Sequence, residues 1–155
     1  MERNLMDLAT YLKDTGVWHR FLEKAETVHT ADASRETGIK LNRITKNLVC
    51  KTDDGRFALL IVPGDKRVNL QAAAQALGVR NVRLLAFTES ESISGYPPGG
   101  TPSVHHKTPL NVVIEERLLV HETLFCGGGT RTRLLELRTK DILKLTDAVA
   151  AAISQ

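Results

Sequence analysis

Apolar residues at the start of the chain recur at helical spacing. Leu5, Leu8, Ala9 and Leu12 fall on one face, Asn4 is placed to cap the run, and Gly16 ends it. Val17-Trp18-His19-Arg20-Phe21-Leu22 reads as a second short helix or a continuation of the first, and Glu26 to His29 as a brief strand. Thr30 is placed to cap a helix over Ala31 to Thr37, with Gly38 just past its end. The period then changes. Ile44 to Lys51 alternates imperfectly, and Thr52-Asp53-Asp54-Gly55 is a hairpin turn. Phe57-Ala58-Leu59-Leu60-Ile61-Val62 is apolar at consecutive positions, the pattern of a central strand covered on both faces.

After a turn at Pro63-Gly64-Asp65, Asn69 to Leu77 predicts an alanine-rich helix stopped by Gly78, and Val82 to Leu85 a strand. Thr88 and Glu91 have the spacing of a capping box for a short helix closed by Gly95. Asn111 to Ile114 and Leu119 to Cys126 read as strands, and Arg133 to Leu137 alternates as a partly exposed one. Thr139 is placed to cap a C-terminal helix through Ile142, Leu143, Leu145, Val149 and Ala150. Hairpins interleaved with single helices predict an α+β fold with a mixed, largely antiparallel sheet, in one domain over residues 1–155.

Composition narrows the class. At 155 residues the chain can bury a core without staples, and its 42% hydrophobic and 25% charged content is ordinary for a globular protein. No apolar run approaches the ~20 residues that span a bilayer. Acids stand in Met1 to Asp7 where a signal peptide would be apolar, so a cytoplasmic location with no membrane partner is expected. Cys50 and Cys126 each sit in an apolar run, as reduced buried thiols do. A net charge of +3 permits a nucleic-acid partner without demanding one. Aromatic content of 5% argues against a stacking platform for single strands.

Two stretches of bare backbone carry the candidate chemistry. Gly95-Tyr96-Pro97-Pro98-Gly99-Gly100-Thr101-Pro102 is a loop that its prolines hold in one shape, and Gly127-Gly128-Gly129 follows the apolar run Thr123 to Cys126. Both read either as tight turns or as places where a ligand meets main-chain groups. Neither carries the lysine of a phosphate loop or the spacing of a dinucleotide fingerprint. His105-His106 invites a metal, but neighbours on an extended chain point apart and no Cys or acid stands at ligand spacing. Cys126 with His121 or His106 as its base is a nucleophile candidate, although Leu124 and Phe125 favour a buried thiol. Lys46 lies in a half-buried strand, either as an edge guard or as a fixed positive charge for a phosphate or developing oxyanion.

Taken in order, several segments resemble the prolyl-tRNA editing-domain family, the YbaK-like aminoacyl-tRNA deacylases. They are the helix from Thr30 leading into Ile44-Thr45-Lys46-Asn47-Leu48, then Val62-Pro63-Gly64-Asp65-Lys66-Arg67, and the loop Gly95 to Pro102. Val120 through Gly127-Gly128-Gly129 into Leu135-Glu136-Leu137 and Asp141-Ile142-Leu143 complete the set, so the match runs from about Val28 to the C-terminus. The resemblance implies a barrel-like mixed sheet with flanking helices, residues 1–25 being a family-variable extension. It implies hydrolysis of the ester of a mischarged tRNA, with Cys- or Ala-charged proline tRNA as substrate. The partners would be the aminoacylated 3′ end and a synthetase, with no cofactor and no metal.

By position Lys46 matches the family's essential lysine, Gly99 to Ser103 its glycine-to-proline loop and Gly127 to Gly129 its late glycine turn. The expected catalytic set is therefore Lys46 with backbone amides of Gly100-Thr101 or Gly127-Gly128 facing the oxyanion. Thr30, Gly95, Gly99, Pro102, Ser103, His106 and Gly129 are expected to bind substrate. The chain departs from the family where a proline usually stands at Ser103 and a small glycine near His105. That departure keeps a second reading open, a non-catalytic aminoacyl-tRNA or nucleotide-binding module of the same fold.

Overall fold

A computed structural model describes residues 7–155, so the expected roles of Asn4 and Leu5 lie outside the described residues. The elements run α1 (Leu8–Thr15), β1 (His19–Glu23), α2 (Thr30–Thr37), β2 (Thr45–Thr52), β3 (Phe57–Pro63), α3 (Leu70–Leu77), β4 (Val82–Leu84) and α4 (Phe87–Ser94). They continue through β5 (Asn111–Glu115), β6 (Thr123–Gly127), β7 (Arg133–Arg138), α5 (Thr139–Thr146) and β8 (Val149–Ala151). The strands form two sheets. An antiparallel sheet has the order β1-β7-β6, and a mixed one the order β4-β2-β3-β5-β8. In the mixed sheet β2 is antiparallel to β3 and β4, whereas β3-β5 and β5-β8 are parallel. A parallel bridge between Ile44 and Phe125 ties the two sheets at one corner, and the strands do not close into a barrel.

Strand β3 is the centre of the molecule. Its Leu59 and Ile61 enter a core shared with Leu8, Leu12, Leu124, Leu135 and Ile142, while Ala58, Leu60 and Val62 meet Ala73 and Ala74 of α3 on the other face. All five strand residues are fully buried. Truncating Leu59, Leu60 or Ile61 to alanine is therefore expected to cost ~2–5 kcal/mol.

Several local readings are corrected. Residues 19–23 form the outer strand β1, where Phe21 pairs with Leu135 and lies 4.1 Å beneath the Arg133 guanidinium. Residues 26–29 form no strand. Thr30 is the first residue of α2, capped by His29 with no side-chain bond, and the Thr30 hydroxyl instead donates to Gly64 O at 3.4 Å. The Thr88–Glu91 spacing is not a capping box, since α4 starts at Phe87 behind Ala86. Thr139 likewise opens α5 rather than capping it. That helix stops at Asp147, whose φ of 51° turns the chain so that Val149 pairs with Val113 as β8. Among the described residues no helix is long and apolar enough to cross a membrane.

Candidate active site

The site forms where β2 passes from one sheet to the other. Register fixes which main-chain groups of β2 face outward. Pro63, which has no N–H to give, stands opposite Thr45, while Gly64 N–H donates to Ile44 O at 2.7 Å and Thr52 N–H to Arg56 O at 2.9 Å. Even-numbered residues of β2 thus bond toward β3 and odd-numbered ones away from it. The outward edge is covered at both ends. Thr45 Oγ1 donates to Phe125 O at 3.2 Å, and Val49 O accepts from Leu85 N–H at 3.1 Å, just before β4 pairs with Cys50–Thr52. Asn47 falls in the gap between the two.

A cavity of about 450 Å³ occupies this gap. Apolar Ile44, Leu48, Leu85 and Leu134 line it together with Lys46, Asn47, Gly99, Thr101 and Gly127. The expected lysine and one residue at least from each glycine turn therefore share a single hollow. Its wall also includes Thr30, His29, Gly64 and the side chain of Phe87, which is 56% exposed.

Lys46 is half buried, and its ammonium donates to Lys66 O at 2.7 Å. Burial pushes its pKa below the ordinary lysine value; Asp65 opposes that shift and Arg67 adds to it. A partly desolvated ammonium is a stronger local field than a solvated one.

The two glycine turns touch each other behind the cavity. A Cβ on Gly127 would lie 2.3 Å from Gly100 C and 2.5 Å from Thr101 N, so only a bare backbone fits there. The closeness consumes part of the expected oxyanion set. Gly100 N–H donates to Pro97 O at 2.8 Å, Gly128 N–H to Arg133 O at 2.9 Å and Gly129 N–H to Gly100 O at 2.9 Å. Gly100, Gly128 and Gly129 thus build the turn and are not cavity-lining residues. The Gly128–Arg133 bond also sets the parity of β6, and directs the main-chain groups of Gly127 away from β7, toward the side on which Phe125 meets Ile44. Of the expected oxyanion set, Thr101 and Gly127 remain as cavity-lining residues.

The other expected binding residues stand behind the wall. Ser103 is fully buried, its hydroxyl donating to Asn47 Oδ1 at 2.7 Å. His106 Nε2 bonds Pro102 O at 2.8 Å, with its ring edge-on to Tyr96. Gly95 ends α4 in a left-handed conformation. His105 has a φ of 65° and stacks on Tyr11 with ring centroids 4.2 Å apart, so it and His106 serve different contacts. Cys126 is buried, and desolvation pushes its thiol up to about 11, which removes it as a nucleophile near neutral pH.

Two lining residues were not singled out in the sequence. Lys24 donates to Thr27 Oγ1 and Arg131 O, both at 2.6 Å, and so fastens the 24–27 segment to the loop after Gly129. Asn47 stands between Lys46 and Leu48 in β2, and no local pattern in the sequence sets it apart.

A relative from Enterococcus faecalis, described as a candidate Cys-tRNA(Pro)/Cys-tRNA(Cys) deacylase, EbsC, is 24% identical over 88% of this chain and 83% of its own length. The crystal structure of hypothetical protein APE2540 superposes with a TM-score of 0.89 at 30% identity, covering 96% of this chain and 99% of the other. The structure of a candidate trans-editing enzyme for prolyl tRNA synthetase gives a TM-score of 0.79 at 29% identity over 88% and 87% of the two chains. Residues 24–145 match the aminoacyl-tRNA editing domain, and the chain belongs to that family.

Proposed function

We propose that this chain is a trans-editing deacylase that hydrolyses the ester joining a wrong amino acid to proline tRNA, with Cys- or Ala-charged forms as substrates. The observation that carries the proposal is the convergence of Lys46, Thr101 and Gly127, from three distant segments, on one largely apolar cavity. The family match and a relative described as acting on Cys-tRNA(Pro) support the choice of substrate. Residues 1–155 act as one editing domain, with 1–25 a family-variable extension; the match beginning at residue 24 supports this.

An aminoacyl ester is already activated, so positioning and charge stabilisation do most of the catalysis. Lys46 holds the terminal phosphate or polarises the ester. N–H groups of Thr101 and Gly127 face the carbonyl oxygen as negative charge develops on it. A held water, or the substrate's own thiol when the amino acid is cysteine, attacks the carbonyl carbon. The bond to the ribose oxygen breaks, and that oxygen takes the proton the nucleophile gives up. Thr30 and Gly99 contribute to the wall that receives the terminal nucleotide. Gly95, Gly100, Pro102, Ser103, His106, Gly128 and Gly129 hold the loops in register. A synthetase is the natural second partner, since it supplies the mischarged tRNA.

The test is release of amino acid from Cys-, Ala- and Pro-charged proline tRNA by the purified protein, with and without a chelator. Faster release of Cys or Ala than of Pro, unchanged by chelator, supports the proposal. Binding of charged tRNA without turnover contradicts it and leaves a non-catalytic binding module. Activity lost to the chelator contradicts the metal-free chemistry.

A further inference from the structure

The outward edge of β2 is interrupted for one residue. Thr45 is covered by Phe125 of β6, Val49 by Leu85 ahead of β4, and Asn47 between them directs its N–H and C=O into the cavity. The register with Ile61 is a non-hydrogen-bonded one, so both main-chain groups of Asn47 point away from β3, and β4 pairs only with Cys50–Thr52 beyond it. Its side chain is engaged elsewhere, with Oδ1 accepting from Ser103 and Nδ2 donating to Thr45 Oγ1 at 2.9 Å, so Asn47 does not turn to satisfy its own backbone. Asn47 is half buried and lines the cavity, and main-chain groups on a strand edge that faces a cavity are open to a ligand's hydrogen bonds.

We infer that this one-residue gap holds the aminoacyl group of the substrate as though it were a single residue of an added strand. The α-ammonium donates to Asn47 O, and the ester carbonyl oxygen accepts from Asn47 N–H. The fit is stoichiometric. An antiparallel partner residue offers one N–H and one C=O separated by a single Cα, and an aminoacyl ester offers the same pair with the same separation. The covered positions on either side leave no room for a peptide, which would need pairing at Thr45 or Val49 as well. Strand addition by one residue also reads only atoms common to all amino acids. Selection among them is left to the apolar wall of Ile44, Leu48, Leu85 and Leu134.

The inference rests on the deacylase reading for its choice of ligand, and its test does not need turnover. The probes are 3′-alanylamido-3′-deoxyadenosine and 3′-propionamido-3′-deoxyadenosine, which differ only in the α-ammonium. Affinity is measured by calorimetry, and the Asn47 amide is followed by NMR in ¹⁵N-labelled protein. The alanyl compound is expected to bind about 10- to 100-fold more tightly, the range for one hydrogen bond to a charged group. The Asn47 amide resonance should move on binding both probes. Equal affinities, an unmoved Asn47 amide, or no binding of either probe would overturn the inference. Binding as expected without tRNA deacylation would leave this contact standing and remove the proposed activity. Deacylation with equal affinities would do the reverse.

Discussion

Replacing Gly127 with alanine perturbs the joint between the two glycine turns. The new methyl carbon would stand 2.3 Å from Gly100 C, 2.5 Å from Thr101 N and 2.7 Å from Gly100 O. All three are backbone atoms, and the shortest distance is about 1 Å below an ordinary contact of 3.4 Å. The loop cannot swing away freely. Gly100 N–H is tied to Pro97, Gly100 O to Gly129 and Pro102 O to His106. Overpacking of this kind costs ~1–3 kcal/mol, which in a domain of this size lowers Tm by roughly 2–12 °C. Thr101 would move by a comparable ~1 Å, and a misplacement of that size costs ~10²-fold in rate. The assay is kcat/KM for deacylation of charged proline tRNA beside thermal unfolding of the same preparation. Gly55→Ala is the matched control. Its added Cβ meets nothing within 4 Å, so a φ of 86° gives it a backbone cost without a steric one at the site. Activity within threefold of wild type in Gly127→Ala would refute the contact argument. Gly127 itself has no positive φ, so equal losses in the two variants would show that the contact with Gly100 and Thr101 is not the cause.

Three further outcomes are expected. Glu115 is fully buried, its Oε1 accepting from Ile153 N–H, Ser154 N–H and Ser154 Oγ at 3.0, 2.9 and 2.7 Å, its Oε2 from Arg117 N–H at 2.8 Å. Glu115→Gln should destabilise by ~1–3 kcal/mol in urea unfolding, because an amide NH₂ would face donors. Burial alone would raise the Glu115 pKa, but those hydrogen bonds outweigh it and hold the group below its ordinary value. Its contribution is therefore present above about pH 4.5 and lost as pH falls through the folded value, so the acid limb of stability should flatten in the variant. Desolvation pushes Cys50 up to about 12 and Cys126 to about 11. Neither should react with iodoacetamide at pH 8 in the native protein, and both should react in urea. Because the unfolded chain ionises these thiols first, stability should fall from about pH 9 upward, by up to ~1.4 kcal/mol per pH unit for each, as measured by denaturant titration.

What the sequence made legible follows from locality. The consecutive apolar residues of β3 announce a doubly covered strand wherever it sits, and Asn69 caps α3 by accepting from Ala72 N–H at 3.0 Å, a bond between near neighbours. Lys46 and the two glycine turns were legible as an ordered set. Residues 19–23 were not, because β1 earns its strand geometry from β7 more than 100 residues later, and its half-exposed side chains leave a weak alternation. The same holds for β8, which extends only because β5 offers it an edge. Gly100 and Gly128 were expected to present amides, yet bonds to Pro97 and Arg133 direct those amides into the turns. Asn47 shows the limit most plainly. Its importance arises from a gap between Phe125 and Leu85, and no local pattern tells which residue of a strand edge will lack a neighbour.

The central claim is that the Lys46 ammonium acts on an ester held against Thr101 and Gly127. Single-turnover deacylation of Cys- and Ala-charged proline tRNA, comparing wild type with a Lys46→Ala variant of unchanged Tm, tests it most directly. A loss of ~10²–10³-fold in the first-order rate is predicted, the usual cost of removing one well-aimed stabilising group. A variant rate within a few-fold of wild type would contradict the claim.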